Sequence, residues 1–189
     1  WIGRRDYALL LVAMQTGLRL SELTGLCRED VRLGTGAHIQ CVGKGRKQRC
    51  TPISKTTRRV LEAWMKEPWP VAGKFLFPSL SGGRLSADAV QDLVNRHVAA
   101  ARMKCPSLVK KRVTPHWLRH TAAMELLQAG IDRAMIALWL GHESVETTQI
   151  YLDANLALKE EILAKAKPIN GKPGRYRPTD DLLEFLRNL

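Results

Sequence analysis

The chain has 189 residues, 45% of them hydrophobic and 25% charged, which suits a soluble globular protein with one ordinary domain or two very small ones. Thirty Lys and Arg face 18 Asp and Glu, a net charge of +12; a balance this basic points to a polyanionic partner, most often nucleic acid. There is no secretory signal, lipidation signal, basic amphipathic helix or bilayer-length apolar run, which argues against a membrane role, and the cysteines at 27, 41, 50 and 105 lack the C-x-x-C spacing of a zinc cluster and read as free thiols in a reducing cytoplasm.

The chain begins with Trp1 rather than Met, so we expect a piece of a longer protein. Residues 4–16 predict a buried helix, with Gly17 at its left-handed end. "SELTGL" (21–26) predicts a second, short helix with Ser21 as N-cap. Residues 30–53 change character: β-rich runs split by "GTG" and "GKGRK" predict a three-stranded antiparallel meander with turns near 34–36 and 43–47. Residues 54–67 return to helix, with Val60, Leu61, Trp64 and Met65 on one face. After a short extended piece, "FLFPS" (75–79), Ser86 caps a long helix to about 104, with Val90, Leu93, Val94, His97, Val98 and Ala101 as its apolar stripe. Thr114, Pro115 and Gly130 mark the N-cap, first turn and end of a helix. Residues 132–142 form another, capped by Asp132 and stopped by Gly141. Ser144 opens a third, which carries Tyr151, and helix continues over 155–167. "KPINGKPGRYRP" (167–178) reads as a basic linker and "TDDLLEFLRNL" (179–189) as an amphipathic tail. The fold class expected is mainly α with a small antiparallel β-sheet (α+β). The aromatic residues Tyr7, Trp117 and Trp139 are expected in the core.

Two readings of "HWLRH" (116–120) compete. His116 and His120 are four apart, a spacing that suits zinc on a helix, with His142 as a third ligand. Trp117 stands where a metalloprotease has its glutamate, and Arg119 would lie one turn from the dication, so the sequence argues against a metal. The second reading starts from charge. Arg19, Lys44, His116, Arg119, His142 and Tyr151 sit at helix ends, a hairpin turn and a helix face, the kinds of place where sites form. Two arginines can grip a phosphodiester by paired hydrogen bonds, a tyrosine can serve as nucleophile, and histidines and a lysine can move protons.

The segments "TGLRLSEL" (16–23), "GKGRKQRCTPI" (43–53), "HWLRHT" (116–121), "LGH" (140–142) and "TTQIYL" (147–152) resemble, in order, the successive boxes of the tyrosine recombinases, or phage-type integrases. His142 follows Arg119 by 23 residues and Tyr151 follows His142 by 9, both as in that family. The resemblance covers about 1–165 and implies the family's catalytic-domain fold, with a catalytic domain over 1–167, a linker and tail over 168–189, and the family's N-terminal core-binding domain absent from the chain. It implies a site-specific recombinase that cuts and rejoins DNA. Arg19 and Arg119 would hold the scissile phosphate. Tyr151 would attack it to form a 3′-phosphotyrosyl link, and Lys44 would protonate the leaving 5′-oxygen. His116 would exchange protons at the tyrosine, His142 would bond the phosphate, and Glu22 would support the site from behind. Arg46, Lys47, Arg49, Lys110, Lys111 and Arg112 are candidate contacts to the DNA backbone. The resemblance implies no metal, because two arginines, a lysine and histidines neutralise the phosphate, and no nucleotide cofactor, because the covalent link conserves the bond energy. The implied partners are double-stranded DNA and three further copies in a homo-tetramer, with the C-terminal tail passed between protomers, as part of a mobile element or a chromosome-resolution system. A DNA-binding module of the same fold without catalysis and a type IB topoisomerase are the alternatives.

Overall fold

The computed structural model describes residues 1–43, 48–68, 73–141, 160 and 163–164, with the side chains of 133–134 left aside. Helix α1, Ile2–Thr16, buries Ala8, Leu9, Val12 and Ala13. The offsets of one, three and four match the 3.6-residue period, so these side chains form one inward stripe. Gly3, Arg4 and Tyr7 lie on the opposite face. Tyr7 is 57% exposed and is therefore not the core aromatic its residue type implies. Helix α2, Leu20–Gly25, begins two residues earlier than expected, with Arg19 rather than Ser21 at its N-cap. The cap is made backwards: the carboxylate of Glu22 accepts the Arg19 backbone N–H at 2.7 Å, satisfying a donor that the first turn leaves open.

A short 3₁₀ turn, Arg28–Asp30, leads into the meander of β1 (Val31–Arg32), β2 (His38–Val42) and β3 (Gln48–Pro52). The sheet is antiparallel in the order β1-β2-β3, with Ile39 opposite both Val31 and Thr51, and Cys41 opposite Arg49. The first expected turn closes over 34–36; the second, at 43–47, falls largely outside the described residues. Helix α3, Lys55–Lys66, is capped by Ser54, whose hydroxyl accepts from Thr57 N–H, and buries Leu61 and Trp64 fully. Trp64 donates its indole N–H to Leu76 O at 2.8 Å. "FLFPS" is held by two isolated bridges, Cys27 to Phe75 and Pro78 to Arg84.

Helix α4, Ala87–Arg102, is capped by Ser86 as expected and presents Val90, Leu93 and Val94 to the core. His97, on the same stripe, does not pack as an apolar residue. Its Nε2 lies 3.0 Å from Asp6 of α1, which also accepts from Arg96 at 2.8 Å and from Arg5 at 2.8 and 3.0 Å. Burial raises the Asp6 pKa, but the hydrogen bonds from Arg5, His97 and Arg96 and the charge of Arg5 outweigh it and hold the carboxyl below its ordinary value,. A further 3₁₀ turn, Pro106–Leu108, precedes helix α5, Pro115–Gln128. Pro115 sits in the first turn, where a missing N–H costs nothing,.

Helix α6, Arg133–Leu140, ends at Gly141 with φ 73°. Helix α5 packs on α1, and its far half joins α6 in a smaller core of Ala123, Leu126, Ile131, Ile136, Trp139 and Leu140. The larger core unites α1, α3, α4 and the sheet. Each fully buried Leu, Ile or Val contributes roughly 1.5–3 kcal/mol, so these stripes hold the frame on which the site is mounted. Trp139 is buried as expected, whereas Trp117 is 50% exposed because it falls outside the stripe of Leu118, Ala122 and Leu126. Among the described residues no helix is long and apolar enough to cross a membrane.

Candidate active site

Three helix ends, those of α1 and α6 and the start of α2, converge where α1 stops. Gly17 takes φ 61° and ψ 26°, and its N–H closes on Ala13 O at 3.0 Å. A Cβ there would collide with Leu140 Cδ2 and come 3.2 Å from Ala122 Cβ. Glycine is thus demanded twice, by the left-handed backbone and by the approach of α5 and α6. That approach lets Arg119, on α5, reach both neighbouring helix ends. Its Nη1 donates to Gly17 O and its Nη2 to Leu140 O at 3.0 Å. Helix C-terminal carbonyls carry partial negative charge, so two of them converge on a guanidinium that is only 4% exposed.

Arg19 comes from the bend between α1 and α2. Its Nη1 donates to Glu22 Oε1 at 3.2 Å and its Nη2 to Gly141 O at 3.1 Å. Glu22 is buried beneath it and accepts a second arginine, Arg49 of β3, at 2.6 Å. Arg19 and Arg49 thus share the Glu22 carboxylate, and Arg119 lies near enough to feel its charge. Burial, followed by the nearby charges of Arg49 and Arg19, pushes the Arg119 pKa down to about 10 while Glu22 works against the fall. Arg119 still carries its charge at neutral pH, and a bound anion would relieve the repulsion.

His116 is exposed, one turn before Arg119 on α5. It lines a cleft with Leu18, Arg19, Thr114, Pro115 and Arg119, whose other wall is the start of α4. Arg19, His116 and Arg119, separated by up to 100 residues in sequence, thus face one opening. His120 does not line this cleft. It is half-buried, and its ring meets the His116 ring edge-on with centroids 4.2 Å apart. Burial, then the charges of His116 and Arg119, lowers its pKa, which favours a neutral imidazole behind the exposed one.

Of the expected site residues, Lys44, His142 and Tyr151 lie outside the described residues, as do Arg46 and Lys47. Lys110, Lys111 and Arg112 are exposed on the connection between α4 and α5. Arg49 departs from that group. Its side chain is 11% exposed and it points into the site, because it stands opposite Cys41 on the inward side of the sheet. Beside its basic neighbours Arg49 looks like one more surface cation; its register opposite the buried Cys41 is what turns it inward.

Half-buried Arg19 and buried Arg119 meet beside Glu22 at a cleft that His116 also lines. The model of the family described as "Phage integrase family" matches residues 2–157. The protein y4rC of Sinorhizobium fredii, provisionally named an integrase/recombinase, is 62% identical over all of this chain and 57% of its own length. Tyrosine recombinase XerC of Pelobacter propionicus is 36% identical over 88% of this chain and 53% of its own. The chain spans about half the length of the curated relatives it matches. Among solved structures, XerA recombinase is 31% identical with a TM-score of 0.61, over 87% of this chain and 59% of that one. XerH site-specific recombinase bound to its difH substrate is 26% identical with a TM-score of 0.64, over 80% and 46%. With the expected mainly helical fold and small antiparallel sheet in place, and the family's boxes in the expected order, the chain belongs to the phage integrase family.

Proposed function

We propose that this chain is the catalytic part of a site-specific DNA recombinase that cuts and rejoins strands through a 3′-phosphotyrosyl intermediate. The observation that carries the reading is the pair Arg19 and Arg119 on one cleft with His116, backed by Glu22. Five hydrogens in a planar fork make a guanidinium a bidentate partner for non-bridging phosphate oxygens. Held rigidly by helix-end carbonyls and a carboxylate, the pair needs little reorganisation when negative charge builds at phosphorus. The 5′-oxygen leaves as Tyr151 Oη bonds to phosphorus. Lys44 supplies the proton to that oxygen, and His116 takes the proton of the tyrosine. His142 completes the contacts to the phosphate. Rejoining is the same displacement run backwards by a 5′-hydroxyl of another strand. The basic run of Lys110, Lys111 and Arg112, with Arg46 and Lys47, holds the duplex by its backbone.

The partners of this reading are duplex DNA and three further copies of the protein, with the 179–189 tail docking on a neighbouring protomer after the 168–178 linker. Its place of action is the cytoplasm, where bacterial DNA lies. The test is a nicked suicide duplex carrying the candidate recombination site, incubated with the full-length protein that contains this chain. A covalent protein–DNA adduct forms with the wild type and is lost in Tyr151→Phe. An adduct that persists in that variant removes Tyr151 as nucleophile. Deleting 168–189 is expected to weaken assembly on paired sites, and unchanged assembly would exclude tail exchange.

A further inference from the structure

We propose that Arg49 is a positioning residue of this active site: it ties β3, the strand that begins four residues after Lys44 in sequence, to Glu22 and to the C-terminal end of α6, and so fixes the relative placement of the arginine pair. The reaction it serves is the one proposed above; the role itself rests on the contacts of Arg49.

An arginine next to "GKGRK" ordinarily reads as one more cation for the DNA backbone. Its environment contradicts that. Nε lies 3.2 Å from Cys41 Sγ, Nη1 donates to Trp139 O at 3.3 Å, and Nη2 donates to Glu22 Oε2 at 2.6 Å. All three nitrogens of the fork are thus directed at the protein, toward three different elements: β2, α6 and α2. The guanidinium also covers Gly141. A Cβ on that residue would come 2.5 Å from Nη1, 3.1 Å from Cδ and 3.2 Å from Cζ. Gly141 is the residue whose carbonyl accepts Arg19 Nη2, and Leu140 before it accepts Arg119 Nη2. Arg49 therefore touches the same helix end that both phosphate-binding arginines grip, and shares with Arg19 the carboxylate of Glu22.

A strut needs no charge, and burying a third guanidinium beside two others is electrostatically costly. The charge has a use here. It neutralises Glu22, leaving the field of Arg19 and Arg119 available to the cleft. Only a planar, multi-donor group reaches a thiol, a carbonyl and a carboxylate at once; a lysine ammonium is a single point. In sequence Arg49 stands five residues after Lys44, and Gly141 directly before His142. Arg49 consequently joins the described ends of the two segments that carry the remaining proposed catalytic groups.

The test compares wild type, Arg49→Lys, Arg49→Met, Glu22→Gln and the Arg49→Met/Glu22→Gln double variant. Duplex binding is measured against salt concentration, and single-turnover adduct formation on the nicked duplex is measured at saturating protein. A misplaced site is expected to lose about 10²-fold in rate in both Arg49 variants, with affinity changed less than about threefold and the salt slope unaltered. The double variant should be no slower than the slower single variant beyond about threefold. An affinity loss with a slope reduced by about one would mean that Arg49 contacts a phosphate, and overturns the proposal, as do unaltered adduct rates. Hydrogen exchange of the DNA-free protein is the independent arm. Arg49→Lys should speed exchange at 139–141 and 48–50 by about tenfold relative to α3; equal exchange overturns the strut. If the wild type forms no adduct, the recombinase reading fails, and the exchange arm still decides the role of Arg49.

Discussion

Two buried carboxylates, Asp6 among two arginines and a histidine and Glu22 among three arginines, differ in where the surrounding charge is left to act. Asp6 receives Arg5 twice on one oxygen and Arg96 and His97 on the other. Arg5 is itself closed off by Pro78 O at 2.8 Å, while Arg96 is 61% exposed and screened by water. That cluster pins α1 to α4 and presents no converging donors to a cleft. Around Glu22 the count is similar but the direction is reversed. Arg119 is buried and Arg19 half-buried, and both line the same cleft. A buried acid among cations is therefore architectural when the cations turn inward or into open water, and a candidate ligand site when they line a concave opening together.

The largest expected contrast comes from conservative changes at the two clusters. Arg119→Lys should slow adduct formation on a nicked duplex by about 10²–10³-fold, the cost of removing a preorganised donor from a developing anion. Asp6→Asn should leave the rate per folded molecule unchanged and instead lower stability by about 3 kcal/mol, since uncompensated Arg5 charge stays buried. Chemical denaturation and single-turnover kinetics on the two variants check this; a rate loss in Asp6→Asn would erase the distinction. The pH dependence adds a sign. The Asp6 pKa is depressed in the folded protein, so its contribution is full above the ordinary carboxylate value of 3.8 and is lost as pH falls through the lower folded value. Wild type should lose stability in that acid window, and Asp6→Asn should lose less. Next in size is Gly17→Ala, expected to cost about 1–3 kcal/mol through the positive φ together with the collision with Leu140.

Much of this was legible in the sequence, for identifiable reasons. Helices α1, α4 and α5 carry their own stop and start signals: Gly17, Ser86, and Thr114 with Pro115. The boxes around Arg19 and Arg119 fixed the candidate arginines before any geometry. At two of the departures helical phase overrides residue type. Tyr7 and Trp117 look like core aromatics, yet each falls off the buried stripe of its helix. His97 lies on the stripe of α4, but what it meets there is Asp6, 91 residues away. Arg49 reads as a loop cation because its neighbours are cations. Its placement depends on pairing with Cys41 and on the arrival of α6, neither of which is a local property. The cap of α2 shifted for a related reason, because Glu22 serves both the backbone of Arg19 and its side chain.

The smallest expected effect tests the architectural half of the comparison most narrowly. Arg96 bonds Asp6 from a position where its own side chain is mostly in water. Holding a long side chain in one geometry costs entropy, and solvent screens the attraction, so Arg96→Gln should change stability by less than about 1 kcal/mol. Adduct formation should be unaffected, because Asp6 still keeps both contacts from Arg5. Raising salt should shrink even that small difference, since exposed pairs are screened over about a Debye length. Denaturation midpoints for wild type and Arg96→Gln at low and high salt measure it. A loss comparable to that of Asp6→Asn would mean that Arg96, rather than Arg5, neutralises the buried acid. The cluster would then depend on a charge open to solvent, and direction alone would no longer separate a structural ion cluster from a site awaiting an anion.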